Sequence, residues 1–114
     1  MEFDRFTIAL SMLRPDAPEH DDETAAALQD AHLAHLAALQ EQGHLLAAGP
    51  LDDPEYRGLS ILAVEPERAR ELKEQDPAVL AGRLSVKVIP WLVPAGVISF
   101  SGRLPRSIAG ATGD

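Results

Sequence analysis

The stretch from Glu23 to Gln42, ETAAALQDAHLAHLAALQEQ, is followed by Gly43 and then by His44 to Leu51, HLLAAGPL. Strong helix formers fill the first segment and neither Gly nor Pro interrupts it, so its composition predicts a helix. On a 3.6-residue period Ala25, Leu28, His32, Leu36 and Leu39 fall on one stripe, with Glu23, Asp30 and Glu41 opposite. Gly43 stands where a C-terminal cap belongs. Asp21 or Asp22 is placed to cap the other end, and Glu23 favours the positive pole there. The run after Gly43 reads as a short apolar strand that Gly49-Pro50 breaks.

Working outward, Phe6, Ile8, Leu10 and Met12 recur at a spacing of two, which predicts a strand over Arg5 to Leu13 ended by Arg14-Pro15. A polar, acid-rich loop leads to Asp22. After a turn-rich loop from Asp52 to Arg57, Gly58 to Val64 is another apolar strand. Glu65-Pro66 opens a second helix, with Pro at a first-turn position where its missing N–H costs nothing, and this helix stops before Asp76-Pro77. From Arg83 to Leu92, Leu84, Val86 and Val88 alternate with Arg83, Ser85 and Lys87, as in a half-buried strand. The order is β-α-β-β-α-β, a ferredoxin-like α+β arrangement with both helices on one face of an antiparallel sheet. The other face is left bare, and a second copy is the simplest cover for it, so a homodimer is expected. Residues 1–93 form the domain. Residues 94–114 are a C-terminal extension with one apolar island, Val97 to Phe100, expected as a strand or a tail contacting the partner subunit.

Composition narrows the function classes. At 114 residues one domain is expected. The net charge of −8 repels nucleic acid and anionic membrane surfaces, and no apolar run is long enough to span a membrane. There is no cysteine, so neither disulfides nor thiolate chemistry is available. Met1-Glu2-Phe3-Asp4-Arg5 lacks the features of a signal peptide, so a cytoplasmic location is expected. No Gly-rich phosphate loop, Ser-His-Asp signature or dinucleotide fingerprint is present, and no cofactor is expected. His32-x-x-His35 sets two imidazoles on one helix face, but no third ligand has a motif spacing, so no metal is expected.

Three segments together resemble a known family. His32-Leu33-Ala34-His35-Leu36 with Gly43 and Ala47-Ala48-Gly49-Pro50 is similar to the helix-to-strand signature of the YciI-like (YCII-related) proteins. Asp76-Pro77-Ala78-Val79-Leu80-Ala81-Gly82 resembles their second signature, and the strand ending in Pro90-Trp91 looks like their closing segment. The resemblance spans Leu28 to Trp91. It implies a dimeric α+β barrel, with the helix histidine and the Asp of Asp-Pro, here His32 and Asp76, in one cleft. It also implies enzymatic activity, since a member of the family is a lyase that removes chloride from a chlorinated aromatic ring. The chain departs from the pattern at Gln29, where an Arg is often found, and in its longer tail.

From pattern alone His32 is either a core histidine with satisfied ring nitrogens or a ring lining a cavity. Asp76 either caps the turn after it or orients His32, and a carboxylate has acceptor sites for both. His35, Gly49, Pro50 and Asp52 are the candidate substrate contacts. His20 and His44, in a loop and at a helix end, are expected to be solvated. The leading expectation is a cofactor-independent lyase or isomerase moving a proton with His32 and Asp76 on a small organic, aromatic or polyketide-like substrate. The alternative is a non-catalytic small-molecule binding or sensor module using the same cleft. A purely structural dimerisation protein leaves the stripe histidine unexplained.

Overall fold

The computed structural model describes residues 1–112; residues 113 and 114 of the extension lie outside the described residues. Strands β1 (Phe3–Leu13), β2 (Leu45–Pro50), β3 (Tyr56–Leu62) and β4 (Leu84–Pro94) form one antiparallel sheet in the order β2-β3-β1-β4. Helix α1 (Asp22–Glu41) connects β1 to β2, while α2 (Pro66–Glu74) and the short α3 (Pro77–Leu80) connect β3 to β4. This is the ferredoxin-like α+β order read from the sequence. Helix α1 packs over β2 and α2 over β4 and β1, so both lie on one face.

Two glycines aim the strands. At the end of α1 the Gly43 N–H donates to the Gln40 carbonyl and the His44 N–H to the Leu39 carbonyl. This paired closure needs a left-handed residue, and Gly43 has φ +82°. The same pattern ends α3, where Gly82 (φ +78°) donates to Val79 and Arg83 to Ala78. Both signature glycines are therefore helix stops that turn the chain into β2 and β4. At the other end of α1, Asp21 is the cap, accepting from the Thr24 N–H at 2.7 Å.

The core is aliphatic and small: Ala9, Leu36, Leu39, Leu45, Leu62, Ala69 and Leu72. On β1 the residues facing the helices are Thr7 and Ala9, not the bulky alternating set. Because neighbouring strand residues point to opposite faces, Phe6, Ile8 and Leu10 lie on the bare face. There Ile8 pairs with Ile61 and Ile89, Leu10 with Leu59, and Phe6 with Trp91.

The structure corrects one expectation, adds one element and shows the path of the extension. Gly49-Pro50 does not break β2, which runs through both residues with Pro50 opposite Gly58. As an edge strand β2 tolerates a proline, whose missing N–H faces away from the ladder. Asp76-Pro77 opens a further helical turn, α3, too short to show a period in the sequence. Residues 95–107 hold no strand; they fold back along α1 and lead into α4 (Ile108–Thr112). Phe100 packs edge-on against Phe6 with ring centres 5.6 Å apart. The Gln40 side chain donates to the Gly102 carbonyl and accepts from the Leu104 N–H, Asp30 accepts from the Ile108 N–H, and Arg106 pairs with Glu41.

Candidate active site

His32 sits in the middle of α1, and Asp76 is the residue that precedes α3. The Asp76 side chain is 2 % exposed and both of its oxygens are used. Oδ1 accepts from the Ala78 N–H at 2.8 Å and so caps α3, while Oδ2 lies 2.6 Å from His32 Nδ1. Capping and orienting are thus done by one carboxylate with two oxygens. Burial alone would raise the Asp76 carboxyl, but the His32 hydrogen bond and charge, the Ala78 N–H and the nearby Lys73 together outweigh it. The carboxyl is held below its ordinary value and is ionised at neutral pH.

An ionised carboxylate only accepts, so whenever the ring carries a single proton that proton sits on Nδ1 and Nε2 holds the free lone pair. The ring is about one-fifth exposed and lines a cavity of ≈ 790 Å³ between α1 and the sheet, and among the described residues Nε2 has no hydrogen-bond partner. A ring polarised from behind by a buried carboxylate, with its other nitrogen free beside a cavity, has the arrangement of a general base. A cavity of this size accommodates a small organic molecule.

Of the other residues singled out from the sequence, Gly49 and Pro50 line the cavity, at the end of β2. Asp52 and His35 do not line it. Asp52 is exposed, and the His35 Nε2–H donates to the Leu72 carbonyl at 3.1 Å. His32 and His35 therefore serve different partners, and among the described residues no three metal-ligating side chains converge.

His20 corrects the expectation of a solvated loop residue. Its ring lines the cavity, and among the described residues its buried Nε2 has no hydrogen-bond partner. Lys73 was missed altogether: it is 4 % exposed, lines the cavity, and donates to Ser60 Oγ at 3.1 Å. Burial pushes its ammonium below the ordinary lysine value, with Asp76 pulling in the opposite direction. In the sequence Lys73 is one charge among many in PERARELKE, and nothing there marks the one that turns inward. Leu104, Pro105 and Ile108 of the extension complete one wall.

The sequence matches the YCII-related domain over residues 9–92, so the chain belongs to that family. No protein of curated function matches it. Among solved structures it is similar to 5-chloro-2-hydroxyhydroquinone dehydrochlorinase from Burkholderia phenoliruptrix, solved in complex with 2,5-dihydroxybenzoquinone. The TM-score is 0.54 at 22 % identity, covering 75 % of this chain and 92 % of that one. That likeness is one of fold. The matched domain contains His32, Asp76 and Lys73, whereas the wall from Leu104 to Ile108 lies beyond it.

Proposed function

We propose that this chain is a small cofactor-independent enzyme, a lyase or isomerase, in which His32 Nε2 moves a proton on a small organic substrate held in the cavity. The observation that carries this reading is the 2.6 Å contact of His32 Nδ1 with a buried, ionised Asp76, on a ring whose other nitrogen is free beside that cavity. Asp76 orients the ring and stabilises the imidazolium once the proton is taken. The electrons of the broken C–H or O–H bond then either expel a leaving group, giving a lyase, or return to a proton at another atom, giving an isomerase. Hydroxylated aromatic and quinonoid molecules are the substrate class we favour; family membership and the ligand of the dehydrochlorinase structure support it.

The test is solvent exchange. Small hydroxylated aromatics and β-dicarbonyl compounds are incubated with the protein in D2O, and deuterium incorporation or loss of a leaving group is followed by NMR. His32→Asn is expected to lower the rate by about 10²–10⁴-fold while leaving the fold intact, as loss of a general base does. Tight, saturable binding of such a molecule without any exchange or turnover points instead to a binding or sensor module.

The proposed assembly is a homodimer joined through the bare sheet face, as a dimeric α+β barrel. The apolar ladder of Ile61, Ile8 and Ile89 with Leu59 and Leu10 supports it, since an exposed face of this kind is covered when two copies stack. Light scattering behind size exclusion is expected to give twice the chain mass. Ile8→Lys is expected to give a folded monomer, and a wild-type monomer at micromolar concentration would sink the proposal.

A further inference from the structure

The cavity carries a charge pattern that the proton-transfer reading does not use. The chain holds 18 acidic residues against 10 Lys and Arg, yet no described Asp or Glu lines the cavity, whereas Lys73, Arg57 and Arg83 do. Of these cations Lys73 is the buried one; Arg57 is exposed and Arg83 half-buried. An ammonium has three N–H donors. Among the described residues Ser60 Oγ is the hydrogen-bond partner of Lys73, and no carboxylate lies within ion-pair distance of it. The charge of Asp76 reaches Lys73, but both Asp76 oxygens are already engaged by His32 and Ala78.

A buried cation with one neutral partner is costly, because its hydration is lost and little replaces it. The same burial strengthens any attraction it makes, since the surroundings screen it poorly. Lys73 is therefore the cavity group best able to distinguish an anion from a neutral molecule of the same shape. Ser60, itself buried and lining the cavity, adds a hydroxyl donor beside it.

We infer that Lys73 and Ser60 form an oxyanion-binding pair that takes the ionised oxygen of a small organic acid, a phenolate or a carboxylate, in the cavity that His32 also lines. The inference rests on the reading of that cavity as the substrate site and names the chemistry of the substrate: an acid bound as its anion. Asp76 links the two ends of the site, hydrogen-bonded to His32 and electrostatically coupled to Lys73.

The experiment uses the full chain and defined probes at neutral pH. They are 2,4-dinitrophenolate with its neutral methyl ether, 2,4-dinitroanisole, and benzoate with methyl benzoate, titrated by calorimetry. The wild-type protein is expected to bind at least one anion about tenfold or more tightly than its neutral counterpart. Whether the preferred anion is the phenolate or the carboxylate identifies the acid. Lys73→Met is expected to abolish that preference, leave the affinity for the neutral probe within about twofold, and keep or raise the melting temperature, since an apolar side chain replaces a poorly paired buried charge. Should the Met variant fail to fold, Lys73→Gln, which retains a donor for Ser60, is read in the same way. Ser60→Ala is expected to weaken anion binding severalfold, and Arg68→Gln, at an exposed arginine outside the cavity, to leave it within about twofold, as for a screened surface charge.

His32→Asn separates this inference from the proposed function: anion preference that survives in His32→Asn while turnover is lost supports both. Equal wild-type affinity for anion and neutral probe, no saturable binding of any probe up to millimolar concentration, or a preference that persists in Lys73→Met would each overturn the oxyanion assignment. None of these results bears on whether His32 moves a proton. Conversely, an active His32→Asn with intact anion preference overturns the base assignment and leaves Lys73 in place.

Discussion

Two regions border the cavity, and they are held in opposite ways. The His32–Asp76 corner is buried, each Asp76 oxygen has a defined donor, and glycine stops end α1 and α3. The C-terminal extension lies outside the matched family domain and is tied to α1 by a few contacts near the surface. Both line the same space, through His32 on one side and Leu104, Pro105 and Ile108 on the other. The difference teaches that position and strain-free chemistry come from buried, doubly used groups, while cavity shape is supplied by a segment whose anchors are individually weak. The corner should therefore be expensive to alter and the extension cheap.

The largest expected effect is at Asp76. Asp76→Ala removes the α3 cap and leaves the His32 Nδ1–H and the Ala78 N–H without partners in a buried place. A loss of about 2–4 kcal/mol in denaturant unfolding is expected, the sum of a lost cap and unsatisfied buried donors. Asp76→Asn keeps an oxygen for the cap and loses the charge, so it should cost about half as much or less and still impair proton transfer. If Asp76→Ala costs under about 1 kcal/mol, the corner is not the rigid side of the cavity.

The next effect is on pH dependence. The Asp76 carboxyl is held below its unfolded value, so the folded state binds fewer protons than the unfolded chain between the two values. Its contribution is fully present above the unfolded value of about 4 and is lost as pH falls through the folded one. The stability gap between the wild-type chain and Asp76→Asn should therefore close progressively as the pH falls below about 4. A gap that is unchanged at pH 3 would mean that the Asp76 charge does not stabilise the fold.

Much of the corner was legible because its devices are local and chemically restrictive. Gly43 stood out as a helix stop, and Asp76 before Pro77 as a side chain able to cap the turn after it. His32 on the apolar stripe of α1 required either a partner or a cavity, and it has both. The β-α-β-β-α-β order followed from periods of two and 3.6. What stayed hidden depends on three-dimensional placement. The alternation of Phe6, Ile8 and Leu10 announced a strand but not that its bulky side would face away from the helices, because a period of two is silent on which face is covered. Lys73 and His20 sit in charged or proline-rich surroundings where an inward-turned side chain looks like any other. The extension has no period at all, and its path is set by Gln40, Asp30 and Glu41, polar residues of α1 that read as an ordinary solvent face.

A smaller effect separates the two kinds of anchor within the extension. Gln40→Ala removes two hydrogen bonds at once, to Gly102 and Leu104, and is expected to cost about 1 kcal/mol. Leu104→Ala removes a half-buried side chain that packs on the core and lines the cavity, with a cost of about 1–2 kcal/mol and altered affinity for bulky ligands. Affinity for bulky ligands that is unchanged in Leu104→Ala would show that the extension borders the cavity without shaping it.

The smallest expected effect is at Arg106. Its ion pair with Glu41 joins side chains that are 68 % and 49 % exposed, so water and salt screen the attraction and fixing both long chains offsets much of it. Arg106→Ala is expected to change stability by no more than about 0.5 kcal/mol and to leave ligand affinity within about twofold. Cutting of the segment after Leu104 by a protease should rise only slightly, because Gln40 and Asp30 still hold it from either side. Sodium chloride at high concentration should reproduce the effect of the substitution in the wild-type chain and add nothing in the variant. Were Arg106→Ala to cost as much as Gln40→Ala, and were that cost to vanish in salt, the extension would be clamped by charge rather than by its backbone hydrogen bonds. The wall of the cavity would then respond to ionic strength as the His32–Asp76 corner does not.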